Sequence, residues 1–256
     1  MKLYAIVIIT FFLLWSSPGY ANNFKAYRVA HAGGGINGKR YTNSYEALDN
    51  NIKNGFLYFE IDFSFTDDNQ LVCLHDWGKS FRQKFRLSPK ERLTLDEFKF
   101  VVREFSEYEN CTLDGLAAWM KENPSAVIIT DVKDDNIKAL ALIHKAIPHA
   151  SVRVIPQVYY PENFRKIKEI GYDSIIWTLY RYRASVEDVL FFVDSFYGSF
   201  AITMPKSAAV TVLPKELARK GISSYVHTVN NENEMLAYFN EFGITEIYTD
   251  FLIPQN

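Results

Sequence analysis

The sequence predicts an α/β fold, a (β/α)8 barrel of the TIM type that need not be regular and has a short insertion after the third strand. Strand-like and helix-like segments alternate along the chain, and glycines close the helices, as is typical of a parallel sheet. The chain of 256 residues has the length that one such barrel fills, and no low-complexity linker divides it. We therefore expect one barrel domain over residues 22–256.

The composition indicates a folded protein without a strong charge bias. Hydrophobic residues make up 48% of the chain and charged residues 23%, which allows a sizeable core. The net charge is −2, and no run of basic residues stands out. We therefore expect no binding to nucleic acid.

The first 21 residues have the pattern of a secretion signal. Lys2 is the only charge, an apolar run covers Leu3 to Trp15, and small residues stand at Gly19 and Ala21. We expect cleavage after Ala21 and an exported protein, periplasmic or secreted. An uncleaved membrane anchor is the alternative, although the apolar run is short for a full span.

The predicted barrel begins with a strand over Tyr27 to His31, which ends in a run of glycines. A helix follows over Asn43 to Asn54, and Asn43 and Glu46 are spaced like a capping box.

The next stretch carries the most informative polar residues. Glu60 and Asp62 lie two apart in an apolar run, so both side chains leave a strand on the same face. A second apolar run, Leu71 to Leu74, then delivers His75 and Asp76. Because charges in apolar strands are costly unless paired or metal-bound, the pattern favours a divalent cation with acid–base chemistry. A surface hairpin with one polar face is the alternative.

Residues 77–110 form the predicted insertion, with one helix around residues 95–105. Its phenylalanines could contact a lipid surface or pack beneath the insertion; they are Phe81, Phe85, Phe98, Phe100 and Phe105. Two cysteines flank it, Cys73 and Cys111, which could pair in an oxidising compartment or remain buried free thiols.

Alternation continues to the end of the chain. Predicted helices cover residues 112–122, 135–147, 161–170, 186–195, 214–220 and 232–242. Predicted strands cover residues 126–132, 152–158, 174–179, 200–204, 223–229 and 246–249. This makes nine strand candidates for eight barrel places, so one is a hairpin arm or lies outside the barrel.

Reacting groups of such barrels lie at the carboxyl ends of the strands. The residues predicted there are His31, Glu60, Asp62, His75, Asp131, Lys133, Gln157, His227 and Asp250. One histidine after a strand is more often structural. Acids, histidines and a lysine together at one mouth instead indicate a site for a hard cation and an anionic substrate.

The ordered motifs resemble those of the glycerophosphodiester phosphodiesterase family, a phosphatidylinositol-phospholipase-C-like type of barrel. The resemblance covers roughly residues 27–254, is most specific in its first third, and rests on these segments: His31-Ala32-Gly33-Gly34, Thr42-Asn43-Ser44, Glu60-Ile61-Asp62, Thr66-Asp67-Asp68, His75-Asp76, Ile129 to Lys133, Tyr225 to Asn230 and Tyr248-Thr249-Asp250.

The resemblance implies one divalent cation, Ca²⁺ or Mg²⁺, held by three acids: Glu60, Asp62 and Asp131. It also implies that His31 and His75 form the acid–base pair. Substrate or phosphate contacts are expected from Lys133, Gln157 and His227.

This sequence departs from the family pattern at several positions. Ala32 stands where the family has arginine, Asp131 replaces a glutamate, and His227 replaces a common tryptophan. Losing the arginine removes a bidentate phosphate contact, so the substrate could be a larger phosphodiester or an exported lipid headgroup. His227 either supplies the missing donor or packs as an aromatic ring.

Three functions follow from these observations. The first is an exported metal-dependent hydrolase of a glycerophosphodiester or related lipid-derived phosphodiester. The second is a phospholipase C/D-like enzyme that acts on intact phospholipid headgroups at a membrane surface. The third is a catalytically inactive barrel that binds a ligand, for which the absent arginine is the main support.

Overall fold

Eight parallel strands close into a barrel in the computed structural model, which describes residues 28–255. The first strand pairs with both the second and the last, which closes the ring. The predicted (β/α)8 barrel is thus confirmed. The predicted secretion signal lies outside the described residues. The strands are β1 Val29–Ala30, β2 Tyr58–Phe65, β3 Leu71–Cys73, β4 Val127–Val132, β5 Val154–Val158, β6 Ser174–Thr178, β7 Ser199–Pro205, β8 Ser223–His227 and β9 Glu246–Thr249.

One of the nine strands, β3, lies outside the ring of eight. It pairs antiparallel with β2, with Phe63 opposite Cys73 and Phe65 opposite Leu71. The barrel therefore continues from β2 to β4, which are parallel neighbours. The surplus strand candidate is a hairpin arm, as one of the two alternatives predicted.

Helices follow most strands and cover the outside of the barrel. They are α1 Tyr45–Lys53, α2 Lys79–Phe85, α3 Leu95–Phe105, α4 Leu113–Glu122, α5 Asn136–Ala146, α6 Ala150–Arg153, α7 Phe164–Ile170, α8 Val186–Ser195, α9 Lys206–Ala209, α10 Leu213–Arg219 and α11 Glu232–Ala237. Short 3₁₀ turns occupy His31–Gly33 and Pro161–Asn163, and a π-helix occupies Tyr238–Phe242. Within residues 28–255, no helix combines the length and apolar character needed to cross a membrane.

The start of α1 differs from the prediction. The cap is Ser44, whose hydroxyl accepts a hydrogen bond from the backbone nitrogen of Ala47, so the predicted Asn43–Glu46 capping box is wrong. Asn43 has a left-handed backbone, with φ 48°, and its side chain turns into the barrel mouth. The Glu46 carboxylate instead accepts from the backbone nitrogen of Glu109.

Other boundaries shift by a few residues. The strand predicted from residue 152 begins at Val154, because α6 precedes it. The strand predicted to residue 229 ends at His227. The first strand is the short pair Val29–Ala30, after which the chain turns at once into the 3₁₀ segment that carries His31.

Residues two apart along each strand fill the barrel interior in layers. The lower layer is apolar and contains Val29, Ile129, Ile155, Ile176, Ala201, Tyr225 and Tyr248. The alternate residues face outward and join the main core against the helices, as Phe59, Ile61 and Phe63 do. Because side chains alternate along a strand, the residues two positions beyond the apolar layer reach the carboxyl-terminal mouth. Asp62 of β2, Asp131 of β4 and Asp250, directly after β9, lie there.

The insertion after β3 contains α2 and α3 and has its own core. Phe81, Phe85 and Phe98 are buried there, whereas Phe100 and Phe105 on α3 remain 52% and 51% exposed. Three of the five phenylalanines therefore pack beneath the insertion, as one alternative predicted. The other two face outward, as contact with a lipid surface would require.

A disulfide joins Cys73 to Cys111, with 5.0 Å between the two Cα atoms. The pairing alternative therefore holds for these cysteines. The bond ties the end of β3 to the segment that leads into α4, so it closes the insertion at its base. The backbone nitrogen of Cys73 also donates to the Cys111 carbonyl at 2.7 Å.

Candidate active site

Three carboxylates meet at the mouth of the barrel. Asp62 on β2 stands directly opposite Asp131 on β4 in the parallel register, and Glu60 lies one interior position earlier on β2. One carboxylate oxygen from each of the three lies within 4.8 Å of the others. Glu60 and Asp62 are buried, and Asp131 is mostly so. The strand register thus brings together the three acids that the sequence proposed as metal ligands.

Lys133 bridges two of these acids. Its Nζ donates to Asp62 Oδ1 at 2.8 Å and to Asp131 Oδ2 at 2.7 Å. The Tyr159 hydroxyl donates to the second oxygen of Asp131 at 2.5 Å. The ammonium of Lys133 is therefore committed to carboxylates on both sides, and the two charges raise its pKa against the effect of burial.

The carboxylates have opposite protonation preferences. Burial and the neighbouring Asp62 charge raise the pKa of Glu60 to about 8. Asp62 is buried too, which raises its pKa, but the charge of Lys133 outweighs this and lowers the pKa to about 2. One lysine does not balance three acids, so the cluster has room for further positive charge.

The acid cluster fits a hard divalent cation. It offers carboxylate oxygens from three side chains, which are the ligands that Ca²⁺ and Mg²⁺ prefer. Burial and the neighbouring Asp62 charge raise the pKa of Glu60, and a cation beside it would favour the ionised carboxylate. Glu60, Asp62 and Asp131 are the residues that would hold the ion.

His31 lies beside the acid cluster. Its Nδ1 is 2.9 Å from Asp250 Oδ1, and its Nε2 is 4.0 Å from Glu60 Oε2. Burial lowers the pKa of His31, but the hydrogen bond to Asp250 and the surrounding carboxylates raise it more, so the net shift is upward. Asn230 fixes Asp250 in turn, since its Nδ2 donates to Asp250 Oδ2 at 2.7 Å.

His75 has a similar arrangement on the opposite, more open side. Its Nδ1 is 2.8 Å from Asp76 Oδ2, and its side chain is 35% exposed. Asp76 also accepts from the Ser80 hydroxyl at 2.6 Å and from the backbone nitrogen of Gly78 at 2.8 Å. Although partial burial raises the pKa of Asp76, these hydrogen bonds lower it to about 2. Asp76 therefore has the geometry to orient His75.

Both histidines thus keep the same nitrogen engaged. In each, Nδ1 faces an aspartate, which leaves Nε2 as the nitrogen for proton transfer. Tyr41 stands between the two rings, 4.5 Å from His31 and 6.4 Å from His75 between ring centroids.

Two further predicted residues line the mouth in different ways. Gln157 on β5 is fully buried, and its Oε1 accepts from the Tyr248 hydroxyl at 3.3 Å. The ring of His227 lies between Tyr180 and Tyr248, at centroid distances of 4.4 and 4.6 Å. Burial keeps the pKa of His227 well below its ordinary value, so this ring is neutral. Its Nε2 is buried and has no hydrogen-bond partner within residues 28–255.

Ala32, the position that departs from the family arginine, contributes through its backbone. Its nitrogen donates to Glu60 Oε2 at 2.7 Å, and its φ of 50° is left-handed. The loop after β6 packs on the wall of the site. Its Arg181 donates to the Lys133 carbonyl at 3.1 Å and stacks on the Tyr159 ring.

Sequence reasoning did not single out Tyr41, Tyr159 or Asn230, and it assigned Asn43 to a helix cap. Asn43 in fact holds Asp62 twice: Nδ2 donates to Asp62 Oδ2 at 3.0 Å, and Oδ1 accepts from the Asp62 backbone nitrogen at 3.1 Å. Asn43 and Asn230 lie within segments that carry the family resemblance, but that resemblance did not give them a role. Tyr159 directly follows β5, a position that many loop residues share, and Tyr41 lies in the loop between β1 and α1.

The fold and the site together define a class: a TIM-type barrel enzyme with an acid cluster and two carboxylate-paired histidines at its carboxyl-terminal mouth. A sequence profile of the Glycerophosphoryl diester phosphodiesterase family matches residues 34–253. The chain belongs to this family and is a phosphoric diester hydrolase. Among proteins with curated descriptions, no sequence matches this chain significantly.

Solved structures of similar fold include several phosphodiesterases. The glycerophosphodiester phosphodiesterase from Thermotoga maritima superposes with a TM-score of 0.69 at 20% identity, over 89% of this chain and 96% of that one. A glycerophosphoryl diester phosphodiesterase from Parabacteroides distasonis gives 0.68 at 18% identity, over 92% and 86%. A phosphodiesterase from Oleispira antarctica, solved with the product sn-glycerol-3-phosphate, gives 0.65 at 16% identity, over 88% and 92%. At these identities the likeness supports the barrel fold.

Proposed function

We propose that this protein is an exported, metal-dependent hydrolase of a glycerophosphodiester or a related lipid-derived phosphodiester. The observation that carries the proposal is the convergence of three acids and two carboxylate-paired histidines at one end of the barrel. The product bound to the Oleispira antarctica phosphodiesterase supports a small glycerol-based substrate for this chain too.

The acids Glu60, Asp62 and Asp131 hold one divalent cation, Ca²⁺ or Mg²⁺. When bound, such an ion neutralises charge that develops on the phosphoryl oxygens. Asn43 keeps Asp62 in place for this task, and the backbone of Ala32 does the same for Glu60. Lys133 completes the charge balance and, from its half-buried position at 23% exposure, contacts phosphate.

His31 and His75 divide the proton transfers. One Nε2 takes the proton from the nucleophile, which is a substrate hydroxyl or a water, and the other gives a proton to the leaving alkoxide. Asp250 and Asp76 hold the two rings with Nδ1 turned away from the reaction. His227, packed between Tyr180 and Tyr248 with its Nε2 buried, shapes the wall beside the substrate, while Gln157 acts through Tyr248 beneath the site.

Export is the remaining element of the proposal. The first 21 residues carry the signal pattern. The Cys73–Cys111 disulfide supports it independently, because such bonds persist in oxidising compartments and are rare in the cytosol.

Action on intact phospholipid headgroups is a second candidate. The outward Phe100 and Phe105 on the insertion favour it, because exposed aromatic side chains suit contact with a lipid interface. Phe105 also lines the same groove as His75, which would bring a membrane surface close to the reacting groups.

The test is hydrolysis by the purified chain of glycerophosphocholine, glycerophosphoglycerol and phospholipid vesicles, with Ca²⁺ or Mg²⁺ and then with chelator. We expect soluble diesters to be cleaved faster than vesicles, and chelator to abolish cleavage. Preference for vesicles would favour the second candidate. No cleavage of any diester, with metal still bound in calorimetry, would indicate an inactive barrel.

A further inference from the structure

A groove extends outward from the catalytic site. It encloses about 790 Å³ between the segment at residues 39–43, helix α2 and residues 105–110. His75 lines its inner end, and Tyr41, which lies edge-on to His31, lines its wall. One of the two alcohols of a phosphodiester held between the histidines would therefore enter this groove.

The groove is strongly basic although the chain as a whole is slightly acidic. Its basic lining residues are Lys39, Arg40, Lys79, Lys84 and Arg86. Within residues 28–255, its acidic lining residues are Asp76, which is already hydrogen-bonded to Ser80 and His75, and Glu107. A cleft lined by one sign of charge concentrates ligands of the other sign.

Most of these cations form no ion pair within the part of the chain that the structure describes. Lys39, Arg40, Lys79 and Arg86 form no ion pair with any residue between 28 and 255. Lys84 donates to the Thr42 carbonyl at 2.7 Å and to the Asn110 side chain, both neutral, and burial lowers its pKa to about 7. This contrasts with Lys133, whose ammonium donates two of its three hydrogens to carboxylates.

We propose that the groove binds a second phosphate, so that the preferred substrate is a soluble phosphodiester whose alcohol carries a further phosphate group. The inference rests on the proposed function, because it places the scissile phosphate at His31 and His75. Arg40, on the segment at residues 39–43, and Lys79, at the start of α2, are the specificity-determining cations, and the partly buried Lys84 lines the same groove. A neutral or cationic alcohol would leave these charges without partners.

The test compares two substrates that differ by one group: glycerophosphoglycerol, and the same diester with its terminal hydroxyl phosphorylated. The measured quantity is the ratio of their kcat/KM values, in the wild type and in the double variant Arg40→Gln/Lys79→Gln. The matched control is Lys121→Gln, which removes an exposed positive charge on α4, outside the groove. Thermal unfolding of all three proteins checks that the variants fold.

We expect the wild type and the control to prefer the phosphorylated diester about tenfold at low salt, since two exposed charge pairs suffice for that factor. The double variant should lose this preference, and added salt should reduce it in the wild type. Equal kcat/KM values for both diesters in the wild type, or an unchanged ratio in the double variant, would overturn the proposal.

Calorimetry with glycerol bisphosphate separates this proposal from the proposed function. If no diester is hydrolysed, the proposed function fails. Binding of glycerol bisphosphate then tests separately whether the groove is a phosphate site. Affinity about tenfold lower in the double variant than in Lys121→Gln supports the second phosphate site. Equal affinities, or no binding to either protein, contradict it.

Discussion

At the scale of single residues, the site consists of side chains held by a partner behind them. His31 is hydrogen-bonded to Asp250, which accepts a hydrogen bond from Asn230. His75 is hydrogen-bonded to Asp76, which accepts a hydrogen bond from Ser80. The two histidines are therefore matched in construction but not in environment, because His31 is buried among acids and His75 is partly open to solvent. This difference allows each to serve a separate proton transfer.

The first prediction concerns which histidine protonates the leaving alkoxide, and it uses a substrate whose leaving group needs no proton. A nitrophenyl diester needs no protonation of its leaving group, so the variant that lacks the general acid should regain much of its activity on it. We expect one of His31→Ala and His75→Ala to lose about 10²-fold or more on glycerophosphocholine and far less on the nitrophenyl diester. The other should be equally impaired on both. Equal losses for both variants on both substrates would contradict a division of roles.

The second prediction concerns the pH dependence of metal binding. With its pKa raised to about 8, Glu60 is protonated near neutral pH in the metal-free protein, so binding must release that proton. Affinity for Ca²⁺ or Mg²⁺ should rise between about pH 6 and about pH 8 and then level off. Calorimetry in buffers of different ionisation enthalpy should detect release of about one proton at pH 7.

The same shift sets the sign of the stability change. A raised carboxyl pKa means that the folded state binds the proton more tightly than the unfolded chain does. The metal-free protein should therefore lose stability as the pH rises from the ordinary carboxyl pKa toward 8, and bound metal should offset this loss.

The control for the proton release on metal binding is Glu60→Gln, in which this release should vanish. Release that persists in this variant would assign it to another group.

At the scale of elements, the sequence patterns were most reliable where one local rule governed the outcome. The two-residue spacing placed Glu60 and Asp62 on one face of β2. The bounds of α3 and α8 agree with the prediction as well, and Thr112, the first residue of the predicted helix over residues 112–122, caps α4. Asn43 was misassigned because Asn-x-x-Glu has the spacing of a cap, while the neighbouring Ser44 offers an equally good cap one residue later. Only the barrel geometry shows that Asn43 faces Asp62.

The third prediction concerns the disulfide at the base of the insertion. The bond closes a loop of 38 residues, for which the chain-entropy model gives a stabilisation of roughly 4 kcal/mol. We expect Cys73→Ser/Cys111→Ser to lower the free energy of unfolding in urea by about this amount. Reductant should destabilise the wild type similarly and leave the double variant unchanged. A double variant as stable as the oxidised wild type would show that the insertion core holds without the bond.

For the complete fold, the alternation of strands and helices predicted the barrel. It also predicted that the site lies at the carboxyl-terminal end of the strands. The surplus of one strand candidate was also foreseen, but not which strand lies outside, because β3 is as apolar as the barrel strands. Tyr41 and Tyr159 could not be predicted, since loops bring them to the mouth only when the ring closes. Likewise, the cysteines could be paired only once β3 lay beside the chain before α4.

The metal dependence of diester hydrolysis in Asp62→Asn shows directly whether the acid cluster is a catalytic metal site. Asp62 contacts Lys133 and Asn43 at the centre of the acid cluster, and the amide is the same size but lacks the charge. We predict that the wild type and Lys121→Gln hydrolyse glycerophosphocholine only with added divalent cation. Asp62→Asn should need a much higher cation concentration and lose at least the roughly 10-fold to 100-fold that removing a partner behind a metal ligand costs. Hydrolysis that survives chelator, or an Asp62→Asn variant with the wild-type cation requirement, would show that this barrel mouth is not a metal-dependent phosphodiesterase site.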